Sequence, residues 1–527
     1  MSEISIKQKW AAKIVEICKN SLIYIAFLAL LLFAFSKKLD LHVDELWTYN
    51  LSNAERPFWP ESDVEFVPAS QPYLDAHTSN GQFDLSHVWE QQINDGCHPP
   101  LYYVLVHAIC SLFPNSFSIY YAGVINIFFQ MLLLYVLRKI LSLMTENASA
   151  KLLISCFYIL CSGVLSISTF LRMYIMSMFW VTLFTYFVLK SLEHFTRKSY
   201  ICLSCVAIAG AVTHYHFIVY IVLLSATVGV ILLTEKRIGE LLKYACSMAV
   251  AAITSYFIFP YMIQHMFSGV RGQDSINNLA DSNFLKRFAK YYNILDNEIF
   301  GGCLLLIVFV ILALLIYHYV ILKKDSKEAN LFSKIEKQRY FCLLIPTFLF
   351  VIFIFKTTPF IVERYISPVY AILIVGTLCL LYKCLSATFQ KYGIAVFCVI
   401  NVLILVLSFQ NCSWSYLYLN SAERLSNAEQ FGKTTDAICV YRDFGMITPC
   451  FTEISKCKSV TFYHAENYED FIAQRDSFGD HIAFFLMKDL EPEFVEKFIS
   501  DHPEYRIICD NGQFGFSGSV YLNKIQK

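Results

Sequence analysis

Two carboxylates stand side by side in His42-Val43-Asp44-Glu45-Leu46-Trp47-Thr48-Tyr49, a few residues beyond an apolar run that ends at Phe35. If that run crosses a bilayer, Asp44 and Glu45 lie at its surface. A carboxylate there can take the proton of an acceptor hydroxyl, and cations beside it can offset charge growing on a departing phosphate. The plain alternative is that the pair solvates a loop or caps a helix start. A second group is His98-Pro99-Pro100-Leu101-Tyr102-Tyr103. Its two prolines fix the entry to a helix at Leu101 and hold His98 where it can bind phosphate or adjust a carboxylate, although such a corner also serves a purely structural end.

Cations at the ends of apolar runs form a third group: Arg172 with Tyr174, Lys356, and Arg364 with Tyr365. Positive charge beside hydrocarbon needs a partner, and a lipid phosphate is one; snorkelling to head groups is the other, most readily for Lys356. His214 and His216 flank the turn Thr213-His214-Tyr215-His216-Phe217. One histidine in such a turn is structural as a rule, whereas two can reach the same cavity or a metal.

The elements that must position these groups are apolar helices. Hydrophobic residues make up 56% of the 527 and charged ones only 16%, so a bilayer is the expected solvent. Lys plus Arg equals Asp plus Glu at 42 each, which gives no basic excess for nucleic acid. A crossing needs about 20 mostly apolar residues. That ruler predicts spans near 20–36, 117–137, 151–168, 173–190, 200–213, 216–233, 244–262, 301–322, 341–355, 366–385 and 393–410. The first run lacks a small-residue cleavage pattern and reads as a signal anchor. Leu101 to Phe113 is too short to cross. If it lies along the outer face, then Lys7, Lys9, Lys13, Lys19, Arg138, Lys139, Lys151, Arg197, Lys198, Lys236, Arg237, Lys243, the cluster Lys323 to Arg339, Lys383 and Lys391 all share one side, as the positive-inside rule requires. The expectation is a polytopic α-helical membrane protein of about eleven transmembrane helices, N-terminus cytoplasmic and C-terminus extracytoplasmic.

Two domains are expected: residues 1–410, including an outer loop at 37–116, and a small C-terminal α/β extracytoplasmic domain at 411–527. Short β-like runs at Asp436 to Tyr441, Ser459 to Tyr463, His481 to Met487 and Tyr505 to Cys509 alternate with helical stretches Ile447 to Lys456, Tyr468 to Asp476 and Glu491 to Ser500. That alternation predicts a mostly parallel sheet. No Gly-rich phosphate loop supports nucleotide binding. Four of the 18 cysteines, Cys439, Cys450, Cys457 and Cys509, fall in this region and are able to pair if it faces an oxidising compartment.

An Asp-Glu pair after the first span, HPPLYY opening a juxtamembrane helix, RMY at the end of a later span, a THYH turn and ERYISP before a late span occur here in one order. Together, over about residues 20 to 410, they resemble the family 39 type of GT-C glycosyltransferases, related to protein O-mannosyltransferases and aminoarabinose transferases. The resemblance implies inverting transfer of a sugar from a polyprenyl-phosphate donor to a protein, lipid or glycan acceptor. It implies Asp44 as general base with Glu45 beside it, and a cavity in which His98, Tyr102, Arg172, Tyr174, His214, His216, Lys356, Arg364 and Tyr365 contact substrate, with Arg172 and Arg364 on the donor phosphate. It leaves a divalent cation open, because related enzymes differ in metal use. Two departures stand out: Thr169-Phe170-Leu171 where the family often has a Gln-Glu pair, and Tyr120-Tyr121 where an Arg is common. The implied location is the outer face of a bacterial inner membrane or the equivalent lumenal face. A transporter or flippase of lipid-linked substrates is the competing reading; it calls for ionisable groups near mid-membrane and repeated halves, and neither is evident.

Overall fold

The computed structural model describes residues 21–54, 60–280, 283–322, 331–475 and 477–525. The expected N-terminal cations Lys7, Lys9, Lys13 and Lys19 and part of the Lys323 to Arg339 cluster lie outside these residues. The chain divides into two compact units. The first holds the described part of Met1–Ser36 with Gln92–Tyr102 and Gly123–Ser415; the second holds Lys37–Gln91, Tyr103–Ala122 and Tyr416–Lys527. The division is therefore not at residue 410, since residues 37–91 fold with the C-terminal region.

The first unit is helical. Among the described residues six helical stretches are long and apolar enough to cross a membrane: Ile119–Met144, Tyr174–Ser191, Tyr215–Thr234, Ile238–Ile258, Lys334–Thr357 and Ser367–Asn411. Two bent pairs raise the number to eight, Ala148–Leu160 with Ser162–Ser168 at 49° and Phe284–Phe300 with Leu304–Val320 at 79°. The eleven expected spans differ from this number for identifiable reasons. The helix Arg197–Ala211 is short, and the run expected near 20–36 is described only from Ser21 onward. The 45-residue stretch Ser367–Asn411 is also too long for one crossing, at about 68 Å for 1.5 Å per residue. It breaks at Gln390, whose φ is 45°, and its halves Tyr370–Phe389 and Gly393–Asn411 pack on each other as a hairpin.

A close approach shapes the turn that carries the two histidines. A Cβ on Gly210 would sit 2.3 Å from the Phe217 ring, so only glycine lets the helices Arg197–Ala211 and Tyr215–Thr234 meet so tightly around residues 212–214. The run Leu101 to Phe113, expected to be a short helix, is one over Leu101–Cys110.

The second unit is built on a six-stranded sheet in the order β1-β3-β2-β4-β6-β5. The strands are β1 Glu65–Phe66, β2 Asp436–Tyr441, β3 Ser459–His464, β4 His481–Met487, β5 Tyr505–Phe514 and β6 Ser517–Lys524. Only β3, β2 and β4 run parallel; β1, β6 and β5 join antiparallel. The expected mostly parallel sheet is thus a mixed one. The reason is that β6 is rich in small and polar residues and β1 is two residues drawn from the segment after the first apolar helix. Phe471, Phe484, Phe494 and Phe498 pack ring against ring under the helix Glu491–Asp501. All four C-terminal cysteines are free. They are spent singly, Cys450 on the Ser517 hydroxyl at 3.1 Å and Cys509 on Asn511 at 3.4 Å.

A buried ion triad does the cross-linking instead. Arg424 donates to Asp40 and to Glu453 and stacks on Phe514 at 3.8 Å. Asp40 also accepts from Thr452 at 2.8 Å, and Glu453 from Ser519 at 2.8 Å. Burial pushes the Glu453 carboxyl up to about 7, against the pull of Arg424 and Ser519. Its proton is held more tightly folded than unfolded, so its contribution is fully present below about pH 4.5 and is lost as pH rises through 7. Thermal unfolding of the detergent-solubilised protein should therefore show a midpoint that falls by a few degrees between pH 5 and pH 8, and Glu453→Gln should flatten that slope. An unchanged slope in the variant would clear Glu453 of the effect.

Candidate functional site

Within the first unit the polar side chains gather around the HisProPro corner. The helix Leu85–Asp95 ends at Asp95, and Gly96 turns the chain with φ 65°. The Asp95 carboxylate accepts the Cys97 N–H at 3.2 Å and meets His98 Nδ1 at 2.7 Å. On the other side of the ring, Arg172 Nη2 lies 3.0 Å from His98 Nε2. A guanidinium only donates, so Nε2 accepts and the ring carries its proton on Nδ1, pointed at Asp95. Burial raises the Asp95 carboxyl's pKa, and the His98 and Arg172 contacts outweigh it, holding the group below its usual range. One turn earlier, Gln92 is fully buried with neither amide atom hydrogen-bonded among the described residues. A buried amide in that state is costly, and its position one turn from Asp95 puts it on the same helix face.

Arg172 sits in the break between the helices Ser162–Ser168 and Tyr174–Ser191, and a relay of amides fixes that break. Asn126 donates to the carbonyls of Ser168 and Phe170 at 3.1 and 2.7 Å, and Tyr102 donates to the Asn126 oxygen at 3.2 Å. Gln130 adds a 2.8 Å bond to the Ser168 hydroxyl. Tyr102 is fully buried and is joined to the segment before Arg172 by this relay.

Aromatic rings form the second part of the arrangement. Tyr174 packs against Phe170 at 5.7 Å, His214 at 5.2 Å and Tyr365 at 6.4 Å, and His216 lies 4.6 Å from His214 and 5.6 Å from Tyr365. Arg364, 8% exposed, lies over the Phe170 and Tyr365 rings at 5.6 and 5.5 Å. Arg364 thus lies over the segment 170–174 that carries Arg172. His214 caps the helix Tyr215–Thr234 by accepting the His216 N–H at 3.1 Å, and burial with its cationic neighbours pushes its pKa well down. The segment before Arg364 is clamped: Arg287 donates to the Phe355 and Thr358 carbonyls, and Asn278 to those of Thr357 and Thr358. Lys356, half-buried in the last turn of Lys334–Thr357, lies within the clamped segment, between Phe355 and Thr357. Among the described residues no group of three or more His, Cys, Asp and Glu is arranged to hold a metal ion.

In the second unit the acidic pair divides. His42 caps the helix Val43–Asn53, and Glu45 closes a capping box by accepting the His42 N–H at 2.7 Å. The same Glu45 oxygen takes Lys38 Nζ at 2.9 Å, both side chains being fully buried, and Lys38 also donates to the Tyr416 carbonyl at 2.7 Å. Burial lowers the Lys38 pKa, with Glu45 acting the other way. The Asp44 side chain is 30% exposed. Helix capping, the plain alternative for the pair, is therefore what Glu45 does.

Three residues of the first unit escaped the sequence reading. Asp95 was legible only as the head of an Asp-Gly-Cys-His turn. His265, hydrogen-bonded to the Tyr215 hydroxyl at 3.0 Å, carries no neighbouring motif. Glu298, buried in the π-helical turn Asp296–Phe300, accepts from the Ser413 N–H at 3.0 Å and from Cys412 Sγ at 3.0 Å, partners more than a hundred residues away.

No family model and no curated protein matches the chain. Among solved structures it is similar to crystal structures of ArnT from Cupriavidus metallidurans. One, bound to undecaprenyl phosphate, is 10% identical with a TM-score of 0.44 and covers 94% of this chain and 97% of that one. The other, in the apo state, is 11% identical with a TM-score of 0.42 and covers 90% and 96%. At such values the functional reading has to come from this chain's own residues.

The division of the acidic pair is testable by stability alone. Glu45→Ala should cost about 3–5 kcal/mol by leaving Lys38 buried without its counter-ion, read as a large drop in the thermal midpoint. Asp44→Asn should leave that midpoint within a degree or two of the parent.

Proposed function

We propose that the protein is a membrane glycosyltransferase that moves a sugar from a polyprenyl-phosphate donor to a protein, lipid or glycan acceptor. The observation that carries this reading is a pair of buried arginines at one aromatic segment of the helical unit, Arg172 within it and Arg364 over its Phe170 ring. Arg172 is aimed by His98 and Asp95, and Arg364 lies over Phe170. Guanidinium matches the geometry of a phosphate, with several donors in one fixed plane, in a way that a lysine's single point charge does not. Gln92, fully buried near Asp95 with neither amide atom hydrogen-bonded among the described residues, adds a polar group suited to a sugar hydroxyl.

On this reading Asp44 takes the proton of the acceptor hydroxyl as its oxygen attacks the anomeric carbon. The carbon–oxygen bond to the phosphate breaks, and the polyprenyl phosphate leaves as an anion held by Arg172 and Arg364, with inversion at the sugar. The assignment of Asp44 rests on its position after the first apolar helix and on the sequence resemblance. Glu45 supports the helix that bears it. His214, His216, Tyr174 and Tyr365 make the aromatic wall, Tyr102 is a positioning residue, and Lys356 is the least supported contact. The reading places the reaction on the extracytoplasmic face of a bacterial inner membrane or its lumenal equivalent, with the N-terminus cytoplasmic.

Purified protein assayed with polyprenyl-phosphate sugars should lose turnover by about 100-fold or more in Asp44→Asn, the usual worth of a general base, without loss of fold. Near-parental turnover would remove Asp44 from the mechanism. Arg364→Ala should weaken binding of undecaprenyl phosphate by about tenfold, the worth of one charge-assisted hydrogen bond, and leave acceptor binding unchanged. Equal donor affinity in the variant would end the phosphate assignment.

A further inference from the structure

A polar cavity lies in the helical unit, three turns along Ile119–Met144 from Asn126, about 18 Å at 1.5 Å per residue. Its volume is about 630 Å³. Arg138, Lys139 and Lys151 line it with Tyr24 and Tyr135, and no carboxylate does among the described residues. The cations are ordered against rings, Arg138 over Tyr24 at 5.8 Å and Lys139 over Tyr135 at 5.2 Å. Ser142 and Ser149 add hydroxyls to the wall. The helix Ala148–Leu160 starts here, capped by Asn147 on the Ala150 N–H at 2.9 Å, so its positive end faces the same space. The nearest acid along the chain, Glu146, is exposed in the turn and is not part of the wall.

Three positive charges, the Ser149 hydroxyl and a helix start describe a receptor for a phosphate group. The surroundings choose its source. Leu152, in the wall itself, is 45% exposed, and on the helix that supplies Tyr24 the side chains Leu22 and Ile25 are 65% and 63% exposed. Phe128 on the Arg138 helix is 56% exposed. A free phosphate makes no use of such flanks, whereas a phospholipid has a charged head for the cavity and chains for the apolar belt.

We propose that this cavity binds the head group of one anionic phospholipid, at a site separate from the arrangement around Arg172. The site is independent of the proposed transfer reaction, and the cavity, not scattered snorkelling, makes it specific: one lipid is kept where several cations share one volume.

Native mass spectrometry of the full chain in detergent, titrated with phosphatidylglycerol or phosphatidylcholine, tests this. The parent should retain one phosphatidylglycerol and no phosphatidylcholine. Lys151→Gln should weaken retention about fivefold and Lys139→Gln/Lys151→Gln about 25-fold, the worth of one and two basic groups at an anionic lipid surface. Lys139 is exposed, so Lys139→Gln alone guards against a fold defect, which thermal unfolding in phosphatidylcholine would reveal. Equal retention of the two lipids, or variants that hold phosphatidylglycerol as the parent does, would overturn the proposal. Displacement by equimolar inorganic phosphate would overturn the lipid assignment in favour of the free anion.

Discussion

A charge removed from water inside this protein has to find its counter-charge within the chain, and that requirement organises the rest. The cost of burying an ion alone amounts to several kcal/mol, so a buried arginine or lysine dictates where the loops that serve it can go. Arg172 draws the HisProPro corner to itself through His98, and Asp95 is drawn in behind. Arg424 ties Asp40, just after the first apolar helix, to a carboxylate more than four hundred positions later. Lys38 and Glu45 fix the start of the helix that carries Asp44. Glu298 reverses the pattern as a buried acid served by neutral donors.

This accounts for the free cysteines. A domain held by ion pairs at the base of its sheet has no need of disulfide staples, and the thiols serve as small buried donors. It also explains why the acidic pair is chemically unequal. A carboxylate that closes a capping box and neutralises a lysine is not available to a substrate, whereas its neighbour one residue earlier points elsewhere on the same first turn.

The apolar helices were legible from length and hydropathy because a bilayer imposes a single ruler. The Pro-Pro entry and the His-Tyr-His turn were legible because proline geometry and capping act within four residues. The helix breaks near Cys161 and Gly301 were not, since no proline marks them and distant partners hold them. The partners of Arg172 and Arg424 were invisible for the same reason: a lone Asp95 or Glu453 becomes meaningful only when folding brings a guanidinium to it. The antiparallel strands β1 and β6 were hidden for a different reason. β6 is too rich in Ser and Gly to read as a strand and is held by its neighbours on both sides.

The ends of that sheet have a bearing on how the second unit survives in company. One margin is β1, only two residues long. The other is β5, whose pairing slips twice, between Ile507 and Cys509 and again between Asp510 and Gln513. Neither margin offers a long, straight ladder of unused amides, so another copy has little to dock on. Crowded side by side at high density on a two-dimensional surface, such units are protected from fusing edge to edge into fibrils.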